Sequence, residues 1–261
     1  MEEFSVIIPL HEYNENVKEL LNRAMASVPE ELKILIVVPS KEVANAIGIV
    51  ERSMTIVQVS SKKNCKGSFS ELVNEGFEII KSDKKVKYAY LLEYDDEFNA
   101  IWFDEVQKEV NDKPDVSVFL PLTEIIDFNS NKFLSYGNEA PWASSFSEEI
   151  GYIDNESLQQ FFDFYLTGSV FNIKDWGYVG GLKESFKFSF WYEFLLRLTH
   201  NEKKAYVIPK LGYKHYVNRP NALHMQYATT MSEKETQWWY NLALEEYMYK
   251  KDNKKEYIEE Q

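Results

Sequence analysis

Five short apolar runs separated by four segments with helical spacing constrain this chain more than anything else in it. Residues 4–9, Phe-Ser-Val-Ile-Ile-Pro, are almost unbroken in apolar character, as a strand buried on both faces requires. Val17, Leu20, Leu21, Ala24 and Met25 then recur at helical spacing behind Asn14, whose side chain can cap a helix. The pattern repeats, with strands predicted at 32–38, 54–59, 86–92 and 116–120. Helices are predicted at 43–50, from Ser68 or Ser70 through Ile80, and at 100–110. Such alternation predicts βαβ units and an α/β fold with a mainly parallel sheet flanked by helices. Ligands of these sheets bind at the carboxyl ends of the strands. Here that edge carries residues 10–13, Pro39-Ser40 and the Asp95-Asp96 pair.

After Leu120 the periodicity weakens. Residues 121–152 are rich in Asn, Ser, Glu and Gly and predict a long loop region. Helices are expected at 156–165, 190–199 and 233–249, strands at 170–173, 206–209 and 212–217, and a frayed charged ending. With 261 residues, 44% of them hydrophobic, and with neither an internal repeat nor a linker, one domain with a C-terminal elaboration is expected. Its main body would span 1–217 and the elaboration 218–261.

A formal charge of −13 makes the surface repel nucleic-acid phosphates and anionic lipid, so no nucleic-acid partner is expected. Cys65 is the only cysteine, which fits a reducing compartment. The opening residues show no basic segment followed by an apolar one, and no run of about 20 apolar residues occurs, so neither a signal peptide nor membrane insertion is expected. The expected location is cytoplasmic, the host cytoplasm if the chain is viral. Aromatic residues reach 15%, and many follow Trp142, where they either fill a core or line a sugar or peptide site.

Asp95 and Asp96 are the chemical focus. Adjacent carboxylates at the end of a buried strand repel each other and share a loss of hydration. They therefore mark either an ordinary polar turn or a divalent-cation site with oxygen ligands. A cation there would bridge a diphosphate and assist its departure.

The context of that pair resembles the family-2-type glycosyltransferases of the GT-A fold. Ser5-Val6-Ile7-Ile8-Pro9 with Tyr13-Asn14-Glu15 is similar to that family's first strand and loop. Lys66-Gly67-Ser68-Phe69-Ser70 through Asn74-Glu75-Gly76 matches its segment entering the third helix, and Leu91-Leu92-Glu93-Tyr94-Asp95-Asp96 its acidic metal motif. Val179-Gly180-Gly181-Leu182-Lys183-Glu184 and Ile208-Pro209 with Tyr213-Lys214-His215 follow in the family's order. The resemblance covers about residues 4–217 and implies a nucleotide-sugar half to about 120 and an acceptor half to about 217.

The resemblance also implies roles. Pro9, Leu10, His11, Tyr13, Lys66, Ser70 and Asp95 would contact the nucleotide. Asp96, Asp95 and His215 would hold Mn2+ or Mg2+, for which a neutral imidazole and carboxylates are suitable ligands. Trp176, Gly180, Gly181 and Trp191 would meet a hydroxyl acceptor, whether glycan, protein or small molecule. Arg219 and His224 lie in a segment that either covers the phosphates or forms a plain surface loop.

Two departures qualify this. The second strand ends in Pro39-Ser40 where the family has acids, which implies altered recognition of base or ribose. Setting Arg197 in the family register places Trp191 where inverting members have the Asp that deprotonates the acceptor. Glu193 is then the preferred base, ahead of Glu184. The expected activity is metal-dependent transfer of a sugar from a nucleotide-diphosphate donor to a hydroxyl. The alternative is a catalytically inactive GT-A-fold protein with a binding or structural role. The 218–240 segment, from Asn-Arg-Pro to Trp-Trp-Tyr, is loosely similar to glycosyltransferase-like proteins encoded by bacteriophages, which would allow a virion-associated role. Trp238-Trp239 either staples the last helix to the core or meets a partner. A dinucleotide oxidoreductase fits the sequence poorly, because Leu10, His11 and Glu12 occupy the turn that needs G-x-G-x-x-G.

Overall fold

A computed structural model describes residues 2–50, 52–62, 65–220, 222 and 230–259. The first half follows the predicted alternation: β1 (Phe4–Pro9), α1 (Glu15–Ala26), β2 (Lys33–Val38), α2 (Lys41–Ile47), β3 (Thr55–Val59), α3 (Phe69–Lys81) and β4 (Tyr88–Leu91). A two-residue strand β5 (Glu97–Phe98), α4 (Ile101–Asp112) and β6 (Val116–Asp127) come next. Strands β3, β2, β1 and β4 lie side by side in parallel.

Local chemistry sets these boundaries. The Asn14 side chain accepts a hydrogen bond from the Val17 amide at 3.1 Å and starts α1. Ser68 starts α3, with Glu71 returning the bond to the Ser68 amide in a capping box. Gly76 lets α3 lie against β1, since a Cβ there would stand 2.6 Å from Ile7. Successive strand residues face opposite sides of the sheet. Ile7, Leu35, Val37, Leu91 and Leu120 therefore join one core with α3, while Val6, Ile8, Ile36, Leu92 and Phe119 join another with α1 and α4.

The second half departs from expectation. Residues 121–152 are not a long loop: β6 continues to Asp127, turns where the Asp127 carboxylate accepts from the Ser130 amide and hydroxyl, and returns as β7 (Lys132–Gly137). A one-turn 3-10 helix (Ala140–Trp142) and β8 (Tyr152–Ile153) follow. The helix expected at 156–165 is only α5 (Asn155–Leu158). Beyond it the chain has no regular secondary structure, and Phe164 and Leu166 are buried. After β9 (Val170–Asn172) comes the unpredicted α6 (Ile173–Val179), capped by Asn172 and ended by left-handed Gly180. Then follow α7 (Phe190–His200) and one strand, β10 (Lys204–Val217), where two were expected.

The prolines explain the last difference. Pro121 and Pro209 mark strand ends by composition, yet they fall at a register shift between β6 and β10, where ladder hydrogen bonds are already interrupted. Among the described residues the sheet has ten strands, in the path β3-β2-β1-β4-β9-β6-β10-β5 with β7 on β6 and β8 on β10. It is parallel at its first four strands and in the β6–β10 pair, and antiparallel at β9, β5, β7 and β8. The C-terminal helix spans Glu233–Glu259, so the expected frayed ending is helical to Glu259. It rests on α7: Trp239 is buried and its carbonyl accepts from Ser189, whereas Trp238 is 53% exposed.

Candidate functional site

The end of β4 and the second half of β10 meet at the carboxyl edge of the sheet. After Leu92 the chain turns over Tyr94-Asp95, with the Asp96 amide donating to the Glu93 carbonyl at 3.2 Å. That turn brings the Glu93 and Asp96 side chains together across three residues. Tyr213, fully buried on β10, supports it by accepting a hydrogen bond from the Glu93 amide at 3.1 Å. Gly168 makes room for this: its φ is +80°, and a Cβ would stand 2.4 Å from the Tyr213 ring.

One Asp96 carboxylate oxygen meets His215 Nδ1 at 2.8 Å, and the other accepts from the Tyr216 amide at 2.8 Å. Glu93, Asp96 and His215 each offer a ligand atom, and these atoms lie within 4.8 Å of one another. Burial, with the charges of Asp96 and Asp95 behind it, pushes the Glu93 carboxyl up to about 8. For His215 burial opposes the charge, but the Asp96 charge and hydrogen bond outweigh it and raise the imidazole to about 9. Two carboxylates and an imidazole fit an ion such as Mn2+, and binding it would release protons from Glu93 and His215.

The side chains group differently from the expected set of Asp96, Asp95 and His215. Asp95 does not join the trio: its carboxylate binds Arg219 Nε at 2.6 Å, and Glu93 takes its place. Neighbouring residues of the turn point apart, whereas the first and fourth converge. Arg219 also donates to the Tyr94 hydroxyl at 2.7 Å and lies 5.2 Å from the centre of that ring. Arg23 of α1 donates to the Asp95 carbonyl at 2.9 Å and pairs with Glu97, which fixes the turn from its other side. His224 lies outside the described residues.

The expected nucleotide residues divide. His11 stands at the end of β1 beside Tyr94, with ring centres 5.9 Å apart, and burial lowers its pKa. Gly67, at φ +73°, sits against Pro39 and near His11, so these three converge above β1 and β2. Tyr13 is half-buried and Lys66 exposed at the same edge. Pro9 is buried at the end of β1. Leu10 is corrected, because its side chain is in the core and its amide is spent on the Val37 carbonyl. Ser70 is likewise buried, inside the first turn of α3. A groove of about 610 Å³ along α1 and α2 shares only Tyr13 with this group.

Most expected acceptor and base residues serve the core. Trp176 is stacked on Phe77 with centres 3.8 Å apart and planes within 8°, so it cannot meet an acceptor. Gly180 ends α6, and Gly181 lies against the Asn74 side chain, which clamps the Leu182 amide at 2.8 Å and carbonyl at 2.8 Å. Trp191 is half-buried among Phe69, Phe171 and Phe194. Glu193 is not a free base: it is 3% exposed and forms a two-pronged pair with Arg197 at 2.9 and 2.8 Å, with Lys183 at 3.1 Å. Glu184 pairs with Lys62 and accepts from Asn74 at 3.3 Å.

No protein-family model and no curated protein matches the chain. Solved structures do. Residues 1–349 of TarS from S. aureus in complex with UDP-GlcNAc superpose with a TM-score of 0.64 at 12% identity, over 92% of this chain and 65% of that one. The mannosyltransferase PcManGT from Pyrobaculum calidifontis, in complex with GDP-Man and Mn2+, superposes with a TM-score of 0.58 at 11% identity, over 86% of this chain and 59% of that one. The chain thus spans less than two thirds of either neighbour. At these identities the likeness establishes the fold, that of GT-A-type glycosyltransferases, with a central sheet flanked by helices. Among the described residues no helix is long and apolar enough to cross a membrane.

Proposed function

We propose that the chain is a family-2-type glycosyltransferase that binds a nucleotide-diphosphate sugar with Mn2+ or Mg2+ and transfers the sugar to a hydroxyl. The observation that carries this is the Glu93, Asp96 and His215 trio at the carboxyl edge of the sheet. Structural neighbours with the same fold hold UDP-GlcNAc, or GDP-Man with Mn2+. A divalent cation on the trio would offset charge on the departing diphosphate. On this reading residues to about 120 hold the donor, with the nucleoside over His11, Pro39 and Gly67 and with Tyr13 and Lys66 at the rim. Residues to about 217 face the acceptor, and a cytoplasmic setting suits the lone cysteine.

Calorimetric titration with UDP and GDP, with and without Mn2+, tests the donor site. We expect binding that requires Mn2+ and disappears in Asp96→Ala, with Asp96→Asn and thermal unfolding as checks on folding. Nucleotide affinity indifferent to both Mn2+ and Asp96 would falsify the proposal.

One observation favours a second reading, nucleotide-sugar binding without turnover. Trp191 fills the family's base position with an indole, and both carboxylates expected to replace that base are engaged in ion pairs. Metal-dependent binding of a donor sugar with no release of nucleotide in the presence of varied acceptors would select this reading over transfer.

A further inference from the structure

An acceptor needs a surface beside the Glu93, Asp96 and His215 trio, and Trp176, expected to supply it, is stacked inside the core. An unassigned surface adjoins the trio at Tyr165. The ring centre of Tyr165 is 5.6 Å from that of His215, and the ring packs over Gly137, where a Cβ would stand 2.7 Å away. The backbone there is fixed although the segment has no regular secondary structure. Buried Asn138 accepts from the Tyr165 amide at 2.9 Å and donates to the Tyr165 carbonyl at 2.8 Å.

Phe164 is buried in the core, and Phe162 and Asp163 are left on the outside. Phe162 is 47% exposed, and its ring centre lies 4.4 Å from that of Tyr240 on the C-terminal helix. The two ring planes, 42° apart, make an aromatic corner open to solvent. The polar groups around that corner are unspent. Among the described residues the Asp163 and Glu139 carboxylates and the Tyr165 and Tyr240 hydroxyls make no hydrogen bond and no ion pair. They are nevertheless close. The Asp163 charge bears on both phenols, and the Glu139 charge on Asp163 and Tyr165. Partial burial, with the Glu139 charge behind it, raises the Asp163 pKa, and no cation among the described residues offsets this.

This set of groups selects a ligand chemistry. Exposed ring faces pack against the C–H face of a pyranose, and carboxylates and phenols bind its hydroxyls. Two uncompensated carboxylates repel a phosphate or sulfate. We propose that Phe162, Asp163, Tyr165 and Tyr240 form the acceptor subsite, and that the acceptor is an uncharged saccharide lying between the C-terminal helix and His215. Phe162 and Tyr240 supply the stacking faces, Asp163 accepts from sugar hydroxyls, and Tyr165 borders the path to the trio. The subsite rests on the glycosyltransferase reading of the trio and names the acceptor class for it. It also gives the C-terminal helix a part in specificity, since Tyr240 lies beyond the 1–217 body.

The test is an array of uncharged, sulfated and phosphorylated saccharides, probed with the labelled protein at saturating Mn2+ and UDP or GDP, whichever binds in calorimetry. Binding should be confined to uncharged saccharides and should persist in about 0.5 M NaCl, which screens charge pairs. Phe162→Ala and Asp163→Asn should each weaken it about tenfold, the scale of one lost aromatic contact or charge-assisted hydrogen bond. Tyr178→Ala, which removes a ring 67% exposed on α6, should leave it unchanged. Asp163→Asn, nearly isosteric at an exposed position, carries the test if thermal unfolding shows that Phe162→Ala is not folded. Failure to bind any saccharide, preference for sulfated or phosphorylated ones, loss of binding in salt, or binding indifferent to both variants overturns the subsite. With Mn2+-dependent nucleotide binding intact, each of those results leaves the donor reading standing. Absence of nucleotide binding overturns the donor reading and the acceptor role with it.

Discussion

Glu193→Gln separates a catalytic base from a structural ion pair. The carboxylate is 3% exposed and faces Arg197 through two bonds of 2.9 and 2.8 Å, with Lys183 at 3.1 Å. Removing one partner of a buried pair costs about 3–5 kcal/mol, because the remaining charge is left without compensation. The lower end applies here. Arg197 keeps the Val179 and Gly181 carbonyls, and Lys183 keeps Glu246 of the C-terminal helix. A loss of about 3 kcal/mol would lower the urea midpoint by about 1 M at a slope of about 3 kcal/mol per M. Its pH dependence has a definite sign. Burial alone would raise the Glu193 pKa, but the Arg197 hydrogen bond and the charges of Arg197 and Lys183 outweigh it, so the folded value lies below the ordinary glutamate value. A depressed folded value contributes stability in full above the unfolded pKa and loses it as pH falls through the folded one. The wild-type advantage over Glu193→Gln should thus be constant from pH 7 down to about 5 and shrink below about 4. Urea denaturation followed by tryptophan fluorescence at pH 7, 5 and 3.5 measures this. A Gln variant within about 0.5 kcal/mol of wild type at pH 7, the scale of ordinary surface changes, would refute the buried-pair account and return Glu193 to candidacy as a base.

Gly168→Ala should destabilise by about 2 kcal/mol or more, from a left-handed backbone and a Cβ driven into Tyr213; since Tyr213 supports the Glu93 amide, Mn2+ affinity should fall with it. Thermal unfolding and Mn2+ titration of that variant would show neither change if the loop before β9 were free to move away. Of the adjacent tryptophans, Trp239→Ala should cost about 3–5 kcal/mol and Trp238→Ala less than about 1, because the first is buried against α7 and Phe186 while the second is 53% exposed. Comparable losses for the two in urea denaturation would contradict this placement of the C-terminal helix.

How much of this was legible depended on whether local signals agreed. In β1 the apolar run, Asn14 behind it and the spacing of Val17, Leu21 and Met25 all indicate one strand and one capped helix, and the structure has both. From Leu120 onward the signals conflict. Pro121 and Pro209 read as stops, but they lie opposite an interrupted ladder, so two long strands continue through them. Phe161 to Tyr165 looks helical by composition, yet burial alternates at Phe164 and Leu166. The short α6 was hidden because its apolar positions are few and its cap, Asn172, also closes a strand.

The site was legible in its acids and histidine but not in their grouping. Asp96 with His215 follows from motif order, whereas the substitution of Glu93 for Asp95 depends on a turn at Tyr94-Asp95 that composition alone does not specify. The base position shows the same limit from the other side. Glu193 and Arg197 are four residues apart, the spacing at which helical side chains meet, so the sequence already held the signal that Glu193 would be taken by Arg197. That pair, with Trp191 beside it, ties α7 to the Gly180-Gly181 turn and, through Lys183, to the C-terminal helix. The Glu93, Asp96 and His215 trio instead sits on the turn after β4 and on β10, and the hydrogen bonds and close packing that support it come from Tyr213, Gly168 and Arg23. The trio and the position the family uses for its base therefore lie in separate parts of this fold. A change at Trp191 or Glu193 on α7 removes none of the hydrogen bonds that hold the trio, and that separation makes nucleotide binding the decisive first measurement and turnover an independent second one.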